Sequence, residues 1–378
     1  MIADLDLVLD EQQEQLAASV REFVERTKPL ERSRKLRDAA DPLGFSRAEW
    51  KRMAELGWTG ICIPEEYGGL GLGFAELAVV LEEAGRKLVP EPLISTLLLG
   101  VPCLLLGGTA RQKEAHLPAV AAGDRVLSVA YEEDGARYDL AKMTTAYQRS
   151  AGGYVLSGTK RHVLDAAAAD AIIVSARGES GPTLFVVERG ARGVHVVPER
   201  RIDSRGAATV TLDAVRVAED AVIGPLGGGV DLLTRVVDRA AVGLSAEMLG
   251  AATQAFEDTL SYLKSRRQFG VTIGSFQALQ HRAARLFIEL SLLRAAVVAA
   301  ARTVDAAPEM LPRMACLAKA RATDVFLQAA SEAIQMHGGI GVTDEFHLGF
   351  YLKRARAAEM TFGDAAYFRK RWAALGGY

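Results

Sequence analysis

The sequence has little cysteine, no surplus of positive charge and no long uncharged apolar run. Its three cysteines, Cys62, Cys103 and Cys316, form no CxxC pair. They are therefore expected to be free, buried thiols in a reducing compartment. The formal net charge is −2, which argues against nucleic acid as the main partner because phosphate binding needs clustered positive charge. No apolar run reaches the roughly 20 residues that a membrane span requires.

The amino terminus lacks the basic-then-apolar pattern of a signal peptide. From this and the absence of a spanning segment, we expect a soluble, cytoplasmic protein. The chain has 378 residues, of which 49% are hydrophobic and 24% charged. This composition is ordinary for globular proteins, and the length is sufficient for two or three domains.

The first part of the chain has a helical pattern. From Leu7 to about Ala121 apolar residues recur at helical spacing, and Asp10 precedes an acidic first turn. Ser46 predicts the start of a second helix, which Gly57 ends. The stretch GICIPEEYGGLGLG at residues 60–73 is too rich in Gly and Pro for a helix, and the helical pattern returns after it.

The pattern changes to short strands near Arg125. Runs rich in β-branched residues alternate with turns that contain Gly, Asp and Ser, which is typical of a compact antiparallel sandwich or barrel. These runs are residues 126–131, 154–157, 172–175, 184–187, 194–197 and 208–212.

Helical spacing returns after Gly227 and continues through three long segments. The segments are residues 232–263, 282–303 and 317–336. Gly338 is placed to end the last one, and long helices with short connections favour an antiparallel bundle. We therefore predict an α+β fold with three domains. The predicted domains are an N-terminal helical domain at 1–124, a middle β-domain at 125–226 and a C-terminal four-helix bundle at 227–378.

Four strings resemble motifs of the acyl-CoA dehydrogenase family, and they occur in the family's order. They are IPEEYGGLGLG (63–73), LSGTKRHVLDAAAADAIIVSAR (156–177), YLKSRRQFGVTIGSFQALQHRAA (262–284) and QMHGGIGVTDE (335–345). RRQFG followed at fixed spacing by SFQALQ is the most specific, whereas the first or last string alone would be weak. The resemblance covers nearly the whole chain. It implies the family's helical, β and helical layout, assembly as a dimer of dimers, and FAD as cofactor.

Two further strings resemble the small-subunit branch of bacterial acyl-CoA dehydrogenases, which includes pimeloyl-CoA dehydrogenase. They are YEEDGARYDL (131–140) and MTFGDAAYFRKR (360–371). Members of that branch pair with a large subunit. The resemblance therefore leaves two assemblies open, a homotetramer or a heterotetramer with a large acyl-CoA dehydrogenase subunit. It suggests a dicarboxylyl, branched or ring-bearing acyl-CoA as substrate.

The resemblance implies that two motifs contact the FAD of a neighbouring subunit. Their residues are Arg266, Gln268, Phe269, Phe276, Gln335, Gly338 and Gly339. An Arg suits a pyrophosphate because its planar guanidinium offers parallel donors, and glycines allow a backbone to approach a ligand closely. The structural alternatives are a surface ion pair for Arg266, a core position for Phe269 and a plain helix cap for Gly338.

Dehydrogenation of a thioester needs a base for the α proton, and Glu247 is the first candidate. It is the only charged residue between Arg239 and Glu257. Burial on such an apolar helix disfavours the charged carboxylate, which suits a group that gains and loses a proton. The alternative is a structural Glu paired with an Arg from another helix.

The family's best-known base position lies in the C-terminal segment, where this sequence departs from the pattern. Phe362 stands where the resemblance places the glutamate. Asp364 lies nearby and is the second candidate for the base.

The strand region departs from the family pattern at four positions. Where relatives carry residues that contact the flavin or its phosphates, this chain has Glu132, Tyr138, His162 and Leu164. Leu164 cannot form a hydroxyl hydrogen bond, and His162 is interpreted as a structural residue. The strand-region residues expected to hold the chain's own flavin are thus altered, whereas the two motifs expected to contact a neighbouring subunit's FAD are intact.

The resemblance implies an FAD-dependent acyl-CoA dehydrogenase that forms a trans-2-enoyl-CoA and passes electrons to an electron-transfer flavoprotein, as in lipid β-oxidation. No metal site is expected. Two alternatives remain open. The chain could be a non-catalytic or half-site partner subunit of a heteromeric acyl-CoA dehydrogenase, or a flavin oxidase or monooxygenase on the same fold.

Overall fold

A computed structural model describes residues 8–378. Leu7, where the helical pattern was predicted to begin, lies outside the described residues. The first helix, α1, covers Glu11–Thr27. Asp10 accepts a hydrogen bond from the Gln13 backbone at 2.9 Å, and the Gln13 side chain accepts one from the Asp10 backbone. This reciprocal capping box fixes the start of the helix.

The helical patterns before and after the strand region are confirmed. The other helices are α2 (Pro29–Asp38), α3 (Arg47–Glu55), α4 (Phe74–Arg86), α5 (Val101–Gly107), α6 (Ala110–Ala121), α7 (Gly229–Ser265), α8 (Gln277–Ala306), α9 (Leu311–His337), α10 (Leu348–Met360) and α11 (Ala365–Leu375). As predicted, Ser46 caps α3 by accepting from the Glu49 backbone, and Gly57 follows its end with a φ of 82°. A buried π-helix at Ile94–Gly100 precedes α5.

The glycine-rich stretch after α3 contains short 3₁₀ turns. They are Trp58–Gly60 and Glu65–Tyr67. Three more such turns lie at Glu219–Ala221, Ile273–Ser275 and Gly338–Val342. The stretch is therefore not an α-helix, as predicted.

The middle of the chain forms an eight-stranded sheet. Its strands are β1 (Leu127–Ala130), β2 (Ala146–Ser150), β3 (Gly153–Leu164), β4 (Ala171–Gly178), β5 (Gly181–Glu188), β6 (Val194–Pro198), β7 (Ala207–Ala218) and β8 (Val222–Ile223). The path is β6-β7-β3-β2-β4-β5-β8, with β1 beside β4. All six predicted strands are present, but the prediction of an antiparallel arrangement was wrong in two places because β1 and β2 both pair with β4 in parallel.

A break in the pairing of β3 with β7 affects one of the predicted site residues. The register shifts between Lys160 and Val163, and His162, within the shift, has a φ of 52°. Such an irregularity bends the strand and turns a side chain away from its regular direction.

The chain divides into two compact units that do not follow chain order. Among the described residues, one unit contains 8–32, 74–89 and 241–378, and the other contains 33–73 and 90–240. The predicted order of helical, β and helical regions is confirmed, while the domain boundaries near residues 124 and 226 stay a prediction. Among the described residues, no helix is long and apolar enough to cross a membrane.

Helices pack closely in the first unit. α9 packs against α8, α10 and α11, and α1 packs against α4. Two glycines bring α4 and α7 into backbone contact. A Cβ atom on Gly85 would lie 2.1 Å from the Glu247 carbonyl oxygen, and one on Gly250 would lie 1.8 Å from that of Glu82. This contact fixes the part of α7 that carries Glu247.

Candidate functional site

A two-stranded hairpin follows α7 and carries the first predicted motif. Its strands are β9 (Arg267–Gln268) and β10 (Val271–Thr272). Phe269 and Gly270 form the tip with φ values of 53° and 81°, the pattern of a type I′ turn. Positive φ is strained for a bulky residue, and such strain clusters at functional sites.

The side chains of this hairpin face solvent. Phe269 is 89% exposed, so the interpretation of Phe269 as a core residue is wrong. Its ring lies edge-on to that of Phe276 at 6.1 Å between centroids. Arg266 and Gln268 are also exposed. Arg266 makes no ion pair within the part of the chain that the structure describes, so the surface ion pair considered for it is not formed.

The second predicted motif forms the end of α9. Gln335 is exposed, and Gly338 ends the helix with φ 65° and ψ −140°, a conformation that favours glycine. Gly338 therefore has the helix-ending role that was one of its two interpretations. Gly339 needs no positive φ, and a Cβ atom there would meet nothing within 4 Å. Its backbone is open to an approaching group.

The structure brings the two motifs together at one end of the same unit. The Tyr262 ring stacks on the His337 ring at 4.2 Å between centroids. Arg266 follows Tyr262 by one helical turn, with its N–H donating to the Tyr262 carbonyl at 2.8 Å, and Gly338 directly follows His337. A cation, an exposed aromatic ring and an open glycine therefore lie on neighbouring elements. These are the groups that a phosphate-bearing dinucleotide needs.

His337 is a buried residue between the two motifs that the sequence did not single out. Its Nδ1 lies 2.7 Å from the Ala333 carbonyl, which requires Nδ1 to carry the proton. Its Nε2 has no hydrogen-bond partner among residues 8–378. Burial lowers the pKa of the imidazole, so the neutral form is favoured. The stack with Tyr262 gives His337 a role in joining the ends of α7 and α9.

Glu247 lies on α7 and is only 4% exposed. Arg354 of α10 donates to both carboxylate oxygens, from Nε at 3.1 Å and from Nη2 at 2.8 Å. A buried guanidinium therefore compensates the charge that the apolar helix was expected to disfavour. This is the pairing that the sequence left open as the alternative. Asp238, 2% exposed, is the other buried carboxylate of α7.

Asp364, the second candidate for the base, is the N-cap of α11. Its side chain accepts a hydrogen bond from the Tyr367 backbone at 2.8 Å. The turn before it is held by Lys319 of α9, whose ammonium donates to the Gly363 and Glu359 carbonyls at 2.9 and 3.2 Å. Burial lowers the pKa of Lys319 to about 7, although the nearby carboxylates of Glu359 and Asp364 act to raise it.

A buried ion pair holds the altered loop of the strand region. Lys160 of β3 donates to Glu133 at 2.7 Å and to Ser175 at 2.9 Å. Glu133 also accepts from the backbones of Thr144 and Thr145. Desolvation raises the pKa of Glu133, but these hydrogen bonds outweigh it and lower the pKa to about 2. The loop 131–145 is thus tied to the sheet from within.

The four departures in the strand region have different local settings. The His162 ring is largely exposed, and its Nδ1 lies 2.7 Å from Glu199. Burial raises the pKa of Glu132. Tyr138 has a φ of 66°. The carbonyl of Leu164 accepts a hydrogen bond from the Ser128 hydroxyl. Their effect on cofactor binding stays a prediction.

Comparison with known domain families covers most of the chain. The N-terminal, middle and C-terminal domain models of acyl-CoA dehydrogenase match residues 10–124, 128–215 and 227–374. All three occur once and in this order.

Individual proteins and structures match over nearly the same length. Mitochondrial isovaleryl-CoA dehydrogenase of Arabidopsis thaliana is 32% identical over 327 residues, 83% of this chain and 79% of that protein. The solved Tcur3481–Tcur3483 steroid ACAD has a TM-score of 0.87 at 32% identity, covering 97% of this chain and 98% of that one. The ChsE4–ChsE5 complex from Mycobacterium tuberculosis has a TM-score of 0.89 at 26% identity, covering 98% of both chains.

Proposed function

Because this chain belongs to the acyl-CoA dehydrogenase family, whose oxidoreductases use FAD, we propose that it converts an acyl-CoA thioester to the trans-2-enoyl-CoA. The observation that carries the proposal is the convergence of the two motifs at one exposed end of a unit. Arg266 has no ion pair among the described residues, Phe269 is exposed and Gly339 is open. Residues with these properties suit a ligand that the chain itself does not supply.

We propose that these residues hold the dinucleotide of a neighbouring subunit's FAD. Arg266 would donate to the pyrophosphate through its planar guanidinium. Phe269 and Phe276 would cover the cofactor with an apolar wall, and Gln268 and Gln335 would supply amide hydrogen bonds. Gly338 and Gly339 would let the backbone approach. These residues would hold FAD where it would supply the acceptor for the hydride that leaves the β carbon of the substrate.

We propose Glu247 as the base that takes the α proton. Arg354 holds both carboxylate oxygens, which fixes the direction in which Glu247 presents its lone pairs. Each carboxylate oxygen accepts one hydrogen bond from Arg354 and keeps a second lone pair, which can take a proton.

A pair of variants tests the base. Glu247→Gln is expected to lower kcat by about 10²–10⁴-fold because a positioned base is lost. It also removes the carboxylate that pairs with the buried Arg354, which costs stability. Glu247→Gln combined with Arg354→Met removes both charges, so the unfolding midpoint should recover while kcat stays low. For each variant, kcat is measured by steady-state turnover at matched FAD content, and the unfolding midpoint is measured by thermal unfolding.

Recovery of kcat together with the unfolding midpoint in the double variant would mean that Glu247 only pairs with Arg354. Asp364→Asn and Asp238→Asn are the parallel arms. A loss of kcat confined to one of them, with FAD content unchanged, would assign the base to that residue.

The finer parts of the function are proposals that rest on the family. We propose electron-transfer flavoprotein as the acceptor, assembly as a homotetramer or heterotetramer, and cytoplasmic location. The similarity to a steroid ACAD supports a ring-bearing acyl group, in agreement with the small-subunit resemblance. A steep preference for butyryl-CoA in turnover assays would contradict that substrate class.

A second candidate function is a half-site subunit that completes a partner's flavin site. It is favoured by the contrast between the intact motifs near α9 and the altered strand surface, where Leu164 stands in place of a hydroxyl residue. The ChsE4–ChsE5 and Tcur3481–Tcur3483 structures, each named for two proteins, support the same reading. In that case Arg266→Ala would lower the FAD content of the partner in a co-purified complex, and Leu164→Thr would change nothing.

A further inference from the structure

A buried cation of the first unit is not used by any step of the proposed reaction. Lys319 lies on α9 and is fully buried. Its ammonium donates to the Gly363 carbonyl at 2.9 Å, to the Glu359 carbonyl at 3.2 Å and to the Thr323 hydroxyl at 3.2 Å. An ammonium has three donors, whereas a neutral amine has two. All three hydrogen bonds can therefore form together only while Lys319 is charged.

These hydrogen bonds fix the turn between α10 and α11, whose backbone adopts a conformation that most residues avoid. Phe362 has a φ of 66° and Gly363 has a φ of 137°. Positive φ is strained for a bulky residue such as Phe. The Glu359 carbonyl belongs to the last turn of α10, where carbonyls find no partner within the helix. Lys319 therefore closes the end of α10 and holds the strained turn that follows it.

The same helix carries the arginine that holds Glu247. Arg354 lies on α10 before Glu359, and it donates to both carboxylate oxygens of Glu247. The positive charge of Arg354 also acts on Lys319, where it opposes the charges of Glu359 and Asp364. One buried cluster therefore connects Lys319 with both candidates for the base. It reaches Glu247 through Arg354, and it reaches Asp364 through the turn.

We propose that Lys319 is a positioning residue for the proton transfer, because its ammonium keeps the end of α10 where Arg354 can hold Glu247. This inference rests on the proposed function, in which Glu247 is the base. The charged groups that act on Lys319 lie on α10, as Arg354 and Glu359, and at the start of α11, as Asp364. Burial outweighs the two carboxylates and lowers the pKa of Lys319 to about 7. As pH rises through this value, loss of the proton leaves one of the three acceptors without a donor, and the turn should loosen.

The first test is the pH dependence of kcat/KM, which reports the ionisation of groups in the free enzyme. Thr323→Val removes one acceptor of the ammonium and so disfavours its charged form. The alkaline fall in kcat/KM should therefore move to lower pH by about one unit. Thr303→Val is the matched control, because it removes the hydroxyl of another buried threonine, which donates to the Ala299 carbonyl on α8. Its profile should match that of wild type. Lys319→Arg keeps its charge at every pH of the experiment and should abolish the fall.

Hydrogen–deuterium exchange of wild type tests the same contact without a variant and without substrate. Protection of the amides at 361–366, corrected for the intrinsic effect of pH on exchange, is compared at about pH 6 and about pH 8.5, on either side of the transition. It should fall at least about tenfold at the higher pH, as befits a lost hydrogen bond to a charged group. The amides of α4 are the internal reference and should keep their protection.

Three results would overturn the inference. They are unchanged protection at the turn, a Thr323→Val profile that coincides with that of Thr303→Val, and an alkaline fall that Lys319→Arg retains. Absence of acyl-CoA turnover by wild type would count against the proposed function instead. The exchange measurement would still test whether Lys319 holds the turn, because it does not depend on turnover.

Discussion

At the scale of single residues, the buried Glu133–Lys160 pair predicts an acid-sensitive loop. The pKa of Glu133 is lowered to about 2, below the value of about 4.3 for a free Glu. A lowered carboxyl pKa contributes stability that is complete above the unfolded value and is lost as pH falls toward 2. Glu133→Gln should remove this contribution and leave Lys160 buried without a counter-charge, at a cost of roughly 3–5 kcal/mol at neutral pH.

Urea unfolding of wild type and Glu133→Gln at several pH values checks this prediction. The gap between their free energies of unfolding should be widest near neutral pH and narrow between about pH 4.3 and pH 2. Asp134→Asn, at an exposed neighbour, is the control and should give a small gap. A gap for Glu133→Gln that does not change with pH would contradict the assigned pKa.

Residue-level features were predictable from sequence only where the neighbours along the chain decide them. Asp10 and Ser46 cap helices as predicted, since an N-cap acts on residues three positions away. The burial of Glu247 also followed from its apolar surroundings. Its partner Arg354 could not be identified, because it lies 107 positions further along and only tertiary packing selects one arginine among many.

At the scale of elements, the turn after α9 gives a prediction that separates folding from cofactor binding. Gly339 has open space and no positive φ, so Gly339→Ala should leave the unfolding midpoint unchanged. If the backbone there approaches the dinucleotide, a methyl group intrudes and FAD content should fall. Flavin absorbance per chain, measured beside thermal unfolding, checks both parts.

Gly349→Ala is the matched control, because that glycine also has nothing within 4 Å of a Cβ atom. It should change neither FAD content nor stability beyond the small gain expected for Ala in a helix. Unchanged FAD content in Gly339→Ala would remove this turn from the proposed cofactor site.

Some elements escaped prediction for physical reasons. β2, with the sequence AYQRS, is mostly exposed and polar, and it is held in the sheet by its pairing with β3. β8 has only two residues, too few for a periodic signal. The residues of the hairpin after α7 were singled out through their motif, but the hairpin itself was not predicted, and its exposed Phe269 contradicts the ordinary preference of aromatic residues for the core. That contradiction supports a functional reading.

At the scale of the whole molecule, the order of helical, β and helical regions was predictable because periodicity changes twice along the chain. The division into two compact units was not, since each unit joins segments that are distant in sequence. The same limit applies to assembly. The proposed tetramer, with or without a second chain, stays a prediction, and the altered residues of the strand region make the difference between these two assemblies testable.

The most direct test of the central claim is anaerobic titration of the purified flavoprotein with acyl-CoA. The chain is expressed alone and with a candidate large subunit, and each preparation receives straight, branched and ring-bearing acyl-CoA in turn. At least one acyl-CoA is expected to bleach the flavin's visible absorbance in proportion to the amount added, with enoyl-CoA as the product. A flavin spectrum that no acyl-CoA changes, in either preparation, would contradict the assignment of acyl-CoA dehydrogenation.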